Sequence, residues 1–123
     1  MERRGELGPG FADPAPLATV LARFPRLQVV LAHGGRPDRT KAALDLVARF
    51  PNAWLELSGC PPHRLVDYFG DLRPLAARTL WGSDWPGPGV PGMRANVEAF
   101  RGLGLGEDAE RRILHANADA LVA

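Results

Sequence analysis

Three short apolar runs, each ending in polar residues and separated by stretches of helical period, constrain this sequence more than any other feature. Leu27-Gln28-Val29-Val30-Leu31-Ala32 leads into His33-Gly34-Gly35, and Ala53-Trp54-Leu55-Glu56-Leu57 into Ser58-Gly59. The third, Thr79-Leu80-Trp81-Gly82, leads through Ser83 to Asp84-Trp85-Pro86. Runs this short, with β-branched and aromatic side chains, read as strands, and the first has the pattern of a strand covered on both faces. Helical stretches lie between them, so successive strands must run parallel and the fold class is α/β.

The helical stretches carry their own start and stop signals. Asp13 is placed to cap a helix with Pro14 at its first position and Leu17, Val20, Leu21 and Phe24 on one face, ended by Pro25. Asp38 is placed to cap a second, with Leu44, Val47 and Phe50 turned inward and Pro51 ending it. Leu65, Val66 and Phe69 mark a third, and two more close the chain, over about 96–103 and 107–121. Residues 1–12 read as an irregular terminus continuing as loop to residue 16. Gly87-Pro88-Gly89-Val90-Pro91-Gly92 reads as a surface loop that can cover a site.

The 123 residues are one domain's worth. A formal net charge of +1 gives no reason to expect nucleic acid or an anionic membrane as partner. Lys41 is the only lysine against many arginines, which reads as coding bias. Cys60 is the only cysteine, so no internal disulfide forms and a reducing compartment is the default. No apolar run approaches the roughly 20 residues of a membrane span. The expected location is the cytoplasm.

At the carboxyl ends of the three strands the chain places His33, Ser58 and Asp84. Alternation puts Val29, Leu31 and His33 in one set, Trp54, Glu56 and Ser58 in another, and Leu80, Gly82 and Asp84 in a third. If these are the inward sets, their polar ends converge. Outer strands of three lie roughly 10 Å apart, so side chains from both can meet at one water or one ion, and imidazole with carboxylate suits zinc. Plainer readings stand beside this one. His33 can simply end a strand and bond a carbonyl, Asp84 can be a turn residue, and Glu56 can be a solvated strand residue. Ser58 lacks the strained elbow of a serine nucleophile and is expected to hydrogen-bond through its hydroxyl. Cys60 and His63 form a lone C-x-x-H, a weak metal signal. His115 reads as packing or capping, and Trp85, next to Asp84, as a residue that lines a substrate pocket.

The runs FPRLQVVLAHGG, FPNAWLELSG, LWGSDWP and ILHANADALV, in this order from about Phe11 to the end, resemble the carboxyl-terminal half of the amidohydrolase-related family, also called amidohydrolase 2. The resemblance implies a partial (β/α)8 barrel, with the three strands as barrel strands six to eight. It implies metal-dependent hydrolysis, or non-oxidative decarboxylation, of a small carboxylic acid, lactone or amide. His33 matches the strand-six acid/base or water-orienting histidine. Asp84 matches the strand-eight aspartate, a metal ligand or the base for the attacking water, and Asn117-Ala118 matches a structural feature of the last helix. The family's metal site also uses a His-x-His pair and a further histidine or modified lysine, which this sequence does not have. A divalent metal, zinc by preference, is therefore expected where other ligands are supplied. A barrel of this kind takes about 250 residues, so the chain reads as roughly half of one. The expectation is an amidohydrolase-type enzyme present as a fragment or as one piece of a split barrel, acting on a small molecule. The alternative is a non-catalytic half-barrel that associates with itself, as a homodimer, or with a complementary half. A decayed remnant without function is the third.

Overall fold

The computed structural model describes residues 13–123, and the irregular terminus expected over residues 1–12 lies outside the described residues. Three parallel strands, β1 (Val29–Leu31), β2 (Ala53–Glu56) and β3 (Thr79–Leu80), pair in the order β1-β2-β3. Helix α1 (Leu17–Arg23) precedes β1, α2 (Thr40–Arg49) joins β1 to β2, and α3 (Leu65–Phe69) with a 3-10 segment (Arg73–Arg78) joins β2 to β3. After β3 come α4 (Met93–Arg101) and a last helical stretch of α5 (Glu107–Arg111), a π-helical turn (Arg112–Ala116) and α6 (Asn117–Val122). The α/β class with parallel strands is as expected. No helix among the described residues is long and apolar enough to cross a membrane.

Partners across a parallel ladder put their side chains on the same face, and Val29 pairs with Ala53, Leu31 with Leu55, Leu55 with Thr79 and Glu56 with Leu80. Val29, Leu31, Ala53, Leu55 and Thr79 therefore share one face, and all but half-buried Val29 are buried. With Leu21, Leu46, Leu65, Phe100 and Ile113 from the helices, this face forms the core. Each of those large side chains stabilises by about 1.5–3 kcal/mol relative to exposure.

Val30, Trp54, Glu56 and Leu80 fall on the other face, where Val30 is 42% exposed. The first strand is thus covered on one face and not two. The three alternation sets also do not share a face. Val29 and Leu31 lie opposite to Trp54, Glu56 and Leu80, because the register offsets β1 by one residue from the expected convergence.

Two expected caps are absent. Asp13 Oδ1 accepts the Ala15 N–H at 3.0 Å in the turn before α1, whose first helical residue is Leu17. Helix α2 begins at Thr40, one turn position beyond the reach of Asp38, and has no side-chain cap. Phe24, just past the end of α1, is 53% exposed, and Val66, within α3, lies on its outer face at 62% exposed.

Side chains close the amino end of the sheet instead. Asn52 Nδ2 donates to the carbonyls of Leu21, Phe24 and Leu27, drawing the end of α1 against the start of β1. The Arg78 guanidinium donates to the carbonyls of Val47, Phe50 and Ala53, which joins α2 to β2. Asn117 Nδ2 donates to Ala76 O and Thr79 O at 2.7 and 2.8 Å and closes the entry to β3, in keeping with the structural role its resemblance implies.

Candidate active site

At the carboxyl end of the sheet two backbones turn left-handed. His33 (φ 62°) and Asp84 (φ 64°) are the non-glycine residues with positive φ among the described residues. The conformation costs an L-residue roughly 1–2 kcal/mol. Histidine and aspartate tolerate it better than most, and such strain gathers where function fixes a side chain. The turn at His33 also undoes the register offset. By leaving the strand after Leu31, the chain swings the imidazole back toward the end of β2.

The side chains meet at Gly59. Its φ is 81°, and a Cβ placed on it would lie 3.0 Å from Arg36 Nη2, 3.2 Å from Asp84 Oδ2 and 3.3 Å from His33 Nδ1. Groups following β1 and β3 thus surround one point at the end of β2. Any side chain at residue 59 would fill it.

Beneath that point lies a hydrogen-bond network built on Glu56. Its Oε1 accepts the His33 main-chain N–H at 2.9 Å and the Ser58 hydroxyl at 2.8 Å, while Oε2 accepts the Ser58 N–H at 3.2 Å. Ser58 is buried, and its carbonyl and hydroxyl oxygens each lie 3.0 Å from His33 Nδ1. Glu56 is therefore not a solvated strand residue. Facing away from the core, it is half-buried and hydrogen-bonded, and a Cβ on Gly82 would collide with its carboxylate. Ser58 bonds through its hydroxyl, as expected.

Arg36 is the residue that sequence reasoning missed. Its Nη2 donates to Ser58 O at 2.6 Å, its guanidinium lies 5.5 Å from the centre of the Tyr68 ring, and its Nε is buried without a partner. The signal in the sequence was slight: a cation three residues beyond a strand-ending histidine, folded back by the turn at 33–35.

Asp84 is exposed, and its carboxylate has no hydrogen bond among the described residues. Trp85, 52% exposed, donates its N–H to Ser83 Oγ and stands beside Asp84 in the chain. The C-x-x-H spacing forms no site, because Cys60 is buried and His63 exposed. Burial pushes the Cys60 thiol up, against the opposing pull of Arg36 and Arg64. His115 neither packs nor caps; it is exposed and lies 3.2 Å from Asp119 on the same helical face. A cavity of about 430 Å³ lies away from this cluster, between the 3-10 segment before β3 and the start of α5, and its arginines Arg73 and Arg112 are engaged by Asp71 and Asp108.

Comparison with known proteins places this cluster in a context. The family model described as amidohydrolase matches residues 11–123. The chain belongs to the amidohydrolase family. It is similar to the L-fucono-1,5-lactonase of Burkholderia ambifaria (strain AMMD), with 31% identity over an alignment that covers 85% of this chain and 46% of the relative. The chain thus spans about half the length of the curated relative it matches. No solved structure matches it.

Membership in the amidohydrolase family raises the question of a divalent metal, and the donor set answers it for the described residues. A catalytic zinc as a rule takes three protein ligands. No three His, Cys, Asp or Glu side chains are gathered in such a group among the described residues. Glu56 is occupied by three N–H and O–H donors, and the Arg36 cation shares the space between His33 and Asp84. The described residues do not fit a metal ion.

Proposed function

We propose that the cluster around Gly59 is the acid/base end of a hydrolytic site for a small cyclic ester. The observation that carries this reading is the approach of Arg36 Nη2, Asp84 Oδ2 and His33 Nδ1 to a single point. The similarity to an L-fucono-1,5-lactonase supports a lactone as substrate.

In this reading Asp84, an exposed carboxylate, takes a proton from the water that attacks the lactone carbonyl. Arg36, whose Nη2 reaches that point, holds the carbonyl oxygen as negative charge develops on it. The ring C–O bond then breaks, and His33, having accepted that proton from Asp84, passes it to the departing alkoxide. One water is consumed and one hydroxy acid released, with both side chains restored. Trp85 and the loop Gly87 to Gly92 contact the sugar-like body of the substrate. The three strands would stand as the last three of a (β/α)8 barrel, and the location would be the cytoplasm.

The test is proton release from a panel of 1,4- and 1,5-aldonolactones, followed with a pH indicator in weak buffer. Turnover above the spontaneous rate is expected, reduced by roughly 10²-fold or more in Asp84→Asn. Folded chain that leaves the spontaneous rate unchanged, or an Asp84→Asn variant as active as wild type, sinks the reading.

A second reading rests on the sheet. Among the described residues β1 and β3 each keep one edge unpaired, and Val30 is exposed on the face turned away from the helices. Unpaired edges invite strand pairing. Here the chain acts by docking onto a second copy or a complementary half-barrel. Its mass in solution decides, because a monomer at high concentration removes the homodimer form of this reading.

A further inference from the structure

We infer that Ser58 and Glu56 fix the neutral imidazole of His33 in its Nδ1–H form, leaving Nε2 as the ring's open lone pair. Nδ1 lies 3.0 Å from the Ser58 carbonyl oxygen and 3.0 Å from Ser58 Oγ. A carbonyl oxygen accepts and never donates, so a bare Nδ1 there would set lone pair against lone pair. The hydroxyl has a single proton, and Ser58 Oγ already donates it to Glu56 Oε1 at 2.8 Å. Turning that proton toward Nδ1 instead would leave Oγ and the carboxylate facing each other with no hydrogen between them. Both neighbours of Nδ1 therefore require a proton on it.

The partner of one ring nitrogen decides which nitrogen carries the proton. Here that partner is a main-chain carbonyl together with a serine whose own orientation is set by a carboxylate. Glu56 does a second thing with the same oxygen, since Oε1 also accepts the His33 main-chain N–H at 2.9 Å. One carboxylate thus holds the left-handed backbone of His33 and, through Ser58, its ring. Glu56 and Ser58 are positioning residues, and neither has to touch a substrate. Whatever molecule meets the ring at Nε2 meets an acceptor. The inference concerns the free protein and stands whether or not the lactone reading does.

The experiment is a long-range 1H–15N spectrum of the full chain labelled with 15N-histidine, recorded at a pH where further increase no longer moves the His33 signals. Those signals are identified by their loss in His33→Asn. A protonated, pyrrole-type Nδ1 and a bare, pyridine-type Nε2 are expected, with exposed His63 as internal reference for an unconstrained ring. A pyrrole-type Nε2 at His33 overturns the inference. Glu56→Gln keeps the side-chain volume and removes the charge that holds the hydroxyl proton. It is expected to move the tautomer ratio toward Nε2–H by roughly tenfold while circular dichroism stays as in wild type. A folded Glu56→Gln protein with the wild-type ratio overturns the role of Glu56. If that variant does not fold, the wild-type spectrum alone decides.

Discussion

His33 and Asp84 share a backbone conformation that few residues of their kind adopt, φ 62° and φ 64°, each just beyond the end of a parallel strand. The pairing matters because neither residue gains stability from it. Both are held left-handed by the chain around them, and both side chains are thereby brought to the same glycine.

Asp84 should accordingly be a position where glycine is more stable than alanine. Both substitutions remove the carboxylate, but alanine keeps the left-handed penalty and glycine does not. Asp84→Gly is expected to exceed Asp84→Ala by about 1 kcal/mol in urea denaturation, with lactone turnover lost in both. Equal midpoints would show that the turn relaxes freely and stores no strain.

Zinc titrated into the purified chain is expected to show no stoichiometric site by calorimetry, because His33 and Asp84 are two donors where three are the rule. The opposite result has a definite form: one ion per chain, lost in Asp84→Asn. It would restore Asp84 as a ligand and displace Arg36 from the space between the two.

Cys60 makes the fold sensitive to alkali. Burial raises its thiol pKa, so the folded protein keeps the proton to a higher pH than the unfolded chain does. Its contribution is full below the ordinary thiol value of about 8.5 and declines as pH rises through the higher folded value. Wild type should lose stability over that interval more steeply than Cys60→Ala. Parallel curves would mean that the thiol ionises freely in the fold.

The carbonyl clasps at the amino end of the sheet should be among the most costly polar groups to remove. Arg78→Met leaves the carbonyls of Val47, Phe50 and Ala53 without that donor. The expected loss is about 3 kcal/mol, and Asn52→Ala should lose about 2 kcal/mol for the same reason. Arg73→Met serves as the control, since Arg73 pairs with Asp71 at the surface and should shift stability by less than about 0.5 kcal/mol. Comparable losses at Arg73 and Arg78 would refute the distinction.

The strand order, the helices between and the three polar strand ends were legible because apolar runs and proline stops are local signals. His33 and Asp84 could be named for the same reason. Arg36 could not, since a left-handed turn brings it in, and Glu56, named but read as a solvated strand residue, owes its role to the His33 and Ser58 groups that reach it. The inward sets were misaligned by one residue at β1, as register is decided between strands and not within them. Two of the clasps, Asn52 and Arg78, escaped notice because an asparagine or arginine before a strand looks like any loop residue until the carbonyls it reaches are in place.

Those clasps also impose an order in time. The entry to β1 is closed by Asn52, that to β2 by Arg78 and that to β3 by Asn117, so each joint is locked by a residue from the unit made after it. On a ribosome, which releases the amino-terminal units first, every strand waits for its successor to emerge before its own entrance is sealed.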